Sequence, residues 1–131
     1  MNTEIEKILK QSSFNVIPGT WSYLKVGSRP EGSHFLVTQD SDEITVVTKK
    51  ERESELDVVE RNKDDRSLIS LNVSVPFYAV GFLAAVSNAI AQAGMNILII
   101  STYSKDYILV KQEQLDKARE ALTSIGLQET T

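Results

Sequence analysis

Residues 96–120 read NILIISTYSKDYILVKQEQLDKARE. Two apolar runs, "NILIISTY" and "YILVK", flank Ser104, Lys105 and Asp106, which is the pattern of a hairpin of two core strands. Beyond it Leu115, Ala118, Leu122 and Ile125 recur at helical spacing, and Gly126 marks the stop. The passage therefore predicts strand, strand, helix. It also brings the polar side chains of Ser101, Thr102 and Asp106 to the shared tip of two otherwise apolar strands, which hydrophobicity does not explain.

Working outward, "GFLAAVSNAIAQAG" (residues 81–94) carries Phe82, Val86, Ala89 and Ala93 along one side, with Leu83 and Ile90 beside them, and closes on Gly94. Before it, "SLISLNVSV" alternates: Ile69, Leu71, Val73 and Val75 make one apolar face and Leu68, Ser70, Asn72 and Ser74 the other. That is a half-buried strand, ended by Pro76 and followed by a brief "FYAV" connection. The order strand, helix, strand, strand, helix is most of a βαββαβ ferredoxin-like unit, an α+β architecture in which helices cover one face of an antiparallel sheet. No final strand is legible after Gly126. The first half of the chain is expected to supply it, which fuses the two halves.

The first half opens with Thr3 and Glu6 at capping-box spacing, worth about 1 kcal/mol. Ile5, Ile8 and Leu9 then mark a short packing helix. "FNVI", a Pro18-Gly19 turn and "WSYLKV" predict a strand pair or a bent strand, with Trp21 as a core or interface anchor. "GSRPEGS" (residues 27–33) is a surface loop. "HFLVTQ" and "EITVVTK" form a hairpin around Asp40, Ser41 and Asp42. "KKERESELDVVERNKDDR" reads as a solvated face or connection, pinned to the core by Leu56, Val58 and Val59.

Composition excludes several classes. A chain of 131 residues buries roughly two-thirds of its unfolded surface and folds without staples. With no cysteine there is no disulfide, thiolate metal site or cysteine nucleophile, which fits a cytoplasmic location. A net charge of −4 lacks the clustered cations that nucleic acid requires, and no apolar run is long enough for a membrane. The single His34 stands without a nucleophile motif, and the carboxylates show no paired or metal-caging spacing. The expectation is no enzyme, no metal and no cofactor.

The segment AVGFLAAVSNAIAQAGMNILIISTYSKDYILVKQEQLDKAREAL resembles an ACT domain, in particular the paired ACT modules of aspartate kinase regulatory regions and the cytosolic arginine sensor. Its most specific parts are "AGMNILIISTY" and "STYSKDYILV". Where ACT domains commonly carry proline and glycine at the strand-to-helix turn, this chain has Val80-Gly81. The resemblance implies tandem ferredoxin-like ACT modules, a degenerate one over residues 1–66 and a fuller one over residues 67–131. It further implies a regulatory, allosteric protein that binds an amino acid or similar metabolite at a module interface and forms a homo-oligomer.

The binding residues that follow are Val80, Gly81, Phe82, Asn96, Ile97, Ser101, Thr102 and Asp106. Gly81 at a helix start lets backbone N–H groups approach a carboxylate, or else simply permits close helix packing. Asn96 opens the next strand as a ligand contact or as a turn residue. Ser101 and Thr102 offer hydroxyls or mark where the strand meets water. Asp106 receives a ligand's cation or hydrogen-bonds its own turn. The competing class is a ligand-free interaction module whose uncovered apolar sheet face, through Leu98 and Ile100, packs on a second copy.

Overall fold

The computed structural model describes residues 3–75 and 79–131. The longest strand, β1 (Ser13–Val26), follows helix α1 (Thr3–Gln11) and organises the sheet. Pro18 offers no N–H to the ladder and Gly19 takes φ +116, so the register shifts between Ile17 and Trp21 and the strand bends without ending. The strands β2 (Leu36–Gln39), β3 (Ile44–Lys49), β4 (Val58–Arg61) and β5 (Arg66–Asn72) follow. Next come α2 (Phe82–Gln92), β6 (Leu98–Ser101), β7 (Asp106–Lys111), α3 (Leu115–Ser124) and β8 (Gln128–Glu129). The predicted break at Pro76 and the "FYAV" connection fall largely outside the described residues.

β4 and β5 run antiparallel to β1 as one interrupted partner, from Ser13↔Asn72 and Ile17↔Leu68 to Leu24↔Arg61 and Val26↔Val58. Trp21 pairs with both Lys49 of β3 and Arg66 of β5, so these strands flank β1 on opposite sides. The first half thereby has spatial order β4-β1-β3-β2, and the second β1-β5-β7-β6, within one 8-stranded sheet. Both are the antiparallel order of a ferredoxin-like unit. The start of β1 fills the fourth place of the second half, as expected. The reading that nothing strand-like follows Gly126 is corrected: β8 lies parallel to β1 through Ser13↔Gln128 and Phe14↔Glu129. A strand of 2 exposed residues leaves no hydrophobic period in the sequence.

One face of the second half is covered by helices. Phe14, Ile69, Leu71, Ile108 and Val110 pack against Ile5 and Leu9 of α1, Phe82, Val86 and Ile90 of α2, and Ala118 and Leu122 of α3. Gly94 (φ +81) ends α2 as predicted, with the Met95 N–H donating to the Ile90 carbonyl at 3.2 Å.

The other face is closed by the sheet itself. Trp21 and Val47 meet Leu68, Leu109 and Ile100, with Phe35, Leu36, Leu98 and Tyr107 around them. A flat sheet would hold β2 and β6, five strand spacings apart, on the order of 24 Å from each other. Leu36 of β2 and Leu98 of β6 nevertheless pack on one buried cluster, which requires the sheet to curl. The Phe35 ring bridges the halves, edge-on to Trp21 at 5.7 Å and to Tyr107 at 4.9 Å between centroids. Curling buries Leu68 and Ser70 as well as Ile69 and Leu71, so β5 is buried on both faces, not half-buried. It also places Ile100 inside the chain, which corrects the expectation that this face is open to a second copy.

In the first half, Leu24, Val26 and Val46 are covered by Leu56 where the second half has helices. A 3-10 turn, Lys50–Glu55, and the loop of residues 27–35 replace them. Among the described residues no helix is long and apolar enough to cross a membrane.

Candidate functional site

Gly81 precedes α2 with φ +90 and ψ −3, a left-handed conformation that favours glycine. It provides no side-chain cap, and the first helical bond runs from the Ala85 N–H to the Gly81 carbonyl at 2.9 Å. The Phe82 N–H donates to the Ala79 carbonyl at 3.1 Å. The N–H groups of Leu83 and Ala84 therefore have no partner inside the helix, at its electropositive end. They border a cleft of about 300 Å³ lined by residues 79–84, Val73 and Asp106.

Asp106 reaches this cleft as the first residue of β7, in register with Ser101 on one side and Leu71 on the other. Its Oδ1 accepts the Ser101 hydroxyl at 2.6 Å. The turn is thus residues 102–105, closed by the Thr102 N–H donating to the Lys105 carbonyl at 2.8 Å with the Thr102 hydroxyl on the same oxygen at 3.3 Å. This corrects the reading of Asp106 as a turn residue: its partner is the facing strand. An adjoining hollow of about 240 Å³ is lined by residues 101–106 and Val73, so Asp106 and Val73 border both spaces.

Val80, Gly81, Phe82 and Asp106 share the cleft, and Ser101 and Thr102 the hollow beside it. The Phe82 ring is buried in the core, leaving its main chain for the cleft, whereas Val80 is 91 % exposed. Asn96 and Ile97 lie at the opposite end of β6, separated from Ser101 by a strand about 13 Å long. The Asn96 Oδ1 accepts the Ile97 N–H at 3.0 Å, and Ile97 packs on the helix-covered core. Sequence reasoning missed Val73, Ala79, Leu83 and Ala84 as lining. For Val73 the signal was its place on the apolar face of its strand.

A second concentration of polar groups lies on the first half. Arg61 Nε donates to Glu53 Oε1 at 2.9 Å and Oε2 at 3.0 Å, its Nη2 to Asp65 at 2.8 Å, and Lys50 reaches Asp65 at 2.9 Å. The Ser22 hydroxyl also donates to Glu53. Burial pushes the Glu53 carboxyl up, but bonds from Arg61 and Ser22 outweigh it and hold the group below its ordinary value. Lys50 and then Arg61 lower Asp65. His34 sits 2.8 Å from the Thr48 hydroxyl through Nδ1, a structural contact. Among the described residues no group of 3 or more His, Asp and Glu side chains is arranged to hold a metal.

Strand order and helix placement define an antiparallel α+β fold of ferredoxin-like type. Residues 63–124 match the family model of the ACT domain. A Vibrio cholerae protein of unknown function shares the fold with TM-score 0.78 at 24 % identity, over 94 % of this chain and 96 % of that one. An Agrobacterium tumefaciens protein aligns with TM-score 0.71 at 19 % identity, over 91 % and 92 % of the two chains. The regulatory subunit of aspartate kinase from Thermus flavus follows with TM-score 0.65 at 13 % identity, over 86 % and 96 %. No curated protein sequence matches the chain significantly.

Proposed function

We propose that the chain is a non-catalytic regulatory unit of two ferredoxin-like modules that binds a free amino acid, or a metabolite with the same pair of charged groups, at the start of α2. The observation that carries this reading is chemical complementarity in one cleft. The uncapped N–H groups of α2 suit a carboxylate, and the Asp106 carboxylate opposite suits an ammonium. The cleft of about 300 Å³ matches a small metabolite rather than a cofactor. The ACT match over residues 63–124 and the fold shared with an aspartate kinase regulatory subunit support a regulatory role.

The cleft belongs to the second module alone, so an interface site requires another copy. Val80 and Tyr103, 91 % and 90 % exposed, flank this end of the molecule and suit burial in a homo-oligomer. Ligand binding then shifts association by its preference for one assembly state. Isothermal titration against the common amino acids tests the reading. One of them is expected to release or absorb heat, and Asp106→Asn is expected to weaken it about tenfold or more. Absence of heat with every amino acid, in a chain whose mass still responds to Val80→Ser, supports the interaction module instead.

A further inference from the structure

We propose that the groove between β6 and the curled face of the first half docks an extended, basic segment of a partner protein, which adds as a strand to the free edge of β6. Among the described residues β6 pairs only with β7 and ends the sheet. In an antiparallel edge strand alternate residues aim N–H and C=O outward, and those groups seek a partner chain.

Leu98, Ile99, Ile100 and Ser101 all line a groove of about 410 Å³, larger than the cleft at α2. Its floor comes from the other half of the molecule, including Tyr23, Leu36 and Thr45. One bank is therefore the edge strand and the floor is the other half of the molecule. That is the geometry of strand addition, in which the backbone pairs with the edge and every second side chain faces the floor. Ile99, 42 % exposed, is apolar surface on this edge that an added strand shields.

The mouth sets the charge of the occupant. Asp40 and Glu43 line it, and among the described residues neither is ion-paired. Asp40 Oδ1 accepts the N–H groups of Asp42 and Glu43, each at 2.9 Å, which fixes the acidic turn at the end of the groove. A lysine or arginine on the incoming segment neutralises this corner. The inference uses no group of α2 and shares only Ser101 with the amino-acid reading.

The test titrates the full chain with end-capped, fluorescein-labelled peptides of alternating Lys and Val, or of alternating Glu and Val, followed by anisotropy. Amide hydrogen exchange is read with and without the Lys peptide. The expected result is binding of the Lys peptide about tenfold or more tighter than the Glu peptide, with slower exchange at Leu98 to Ser101. Glu43→Lys should remove that preference while leaving circular dichroism unchanged. N-methylation of alternate Lys-peptide amides should weaken binding to the native chain about tenfold at constant charge, which tests pairing without any protein variant. The proposal is overturned by no binding at millimolar peptide, by N-methylation without effect, or by protection appearing away from β6. A charge preference that survives Glu43→Lys also overturns it. Protection of Leu98 to Ser101 in the free chain that is lost on dilution assigns the edge to a second copy and overturns it as well.

Discussion

The two halves have the same strand order, yet one is covered by helices and the other by a 3-10 turn, a loop and ion pairs. In the second half the crossover after β5 is long enough for α2, whose uncapped N-terminus lines one cleft together with Asp106 of β7. In the first half the corresponding crossover is the loop of residues 27–35, so the equivalent end of its sheet has no helix terminus. A shared sheet thus carries the uncapped start of α2 on one side only. The proposed site follows from the connections, not from the strands.

The largest expected effect comes from the strand both halves share. Phe14 is fully buried in β1, and Phe14→Ala should cost about 3–5 kcal/mol. Urea unfolding followed by Trp21 fluorescence, which reads the seam between the halves, and by far-ultraviolet circular dichroism should give coincident transitions. Two separated transitions would mean that the halves fold independently and that the comparison is one of separate domains.

Next, Leu122→Ala in the helix-covered core should lose about 4 kcal/mol, and Leu24→Ala under the 3-10 turn about 2 kcal/mol. The smaller cluster around Leu24 has fewer neighbours to lose and more freedom to collapse. Equal losses by urea midpoint would remove the energetic difference between the halves.

Gly81→Ala should cost about 1 kcal/mol from backbone strain at φ +90, because the nearest atom to an added Cβ is Ile5 Cγ1 at 4.0 Å. Thermal unfolding reads this directly. An unchanged melting temperature would show that the start of α2 relaxes, and that the helix end is not held at the cleft.

The smallest effect belongs to the ion pairs of the first half. Arg61→Met should cost at most about 1 kcal/mol, since Arg61 and Glu53 remain partly exposed. Its pH dependence is more telling. Glu53 is held below its ordinary value, so its contribution is complete above the unfolded pKa of about 4 and is lost as pH falls through the lower folded value. The stability gap between the native chain and Arg61→Met should therefore be full at neutral pH and close in acid. A gap that persists in acid assigns the loss to packing of the Arg61 stem.

Much of the second half was legible because its elements are long and periodic. Phe82, Val86 and Ile90 announced α2, and the alternation from Leu68 to Val75 announced β5. Ser101 and Asp106 were legible as a pair because polar groups at the tip of apolar strands stand out. Val73 and Ala84 were not, because lining a cleft leaves no pattern in an apolar run. Asn96 and Ile97 came from the family resemblance, and the length of β6 sets them at the end opposite Ser101. β8 escaped notice because two residues cannot show a period.

By itself the sequence determined the local elements, the glycine stops and the polar tip, since those depend on backbone preferences and on spacing along one segment. Only the tertiary structure decided that β1 serves both halves, that the sheet curls until Trp21 meets Leu109 through neighbouring side chains, and that Asp106 faces the start of α2. These are juxtapositions of distant segments. They are selected by burial of apolar surface across the whole molecule, which no window of the sequence contains.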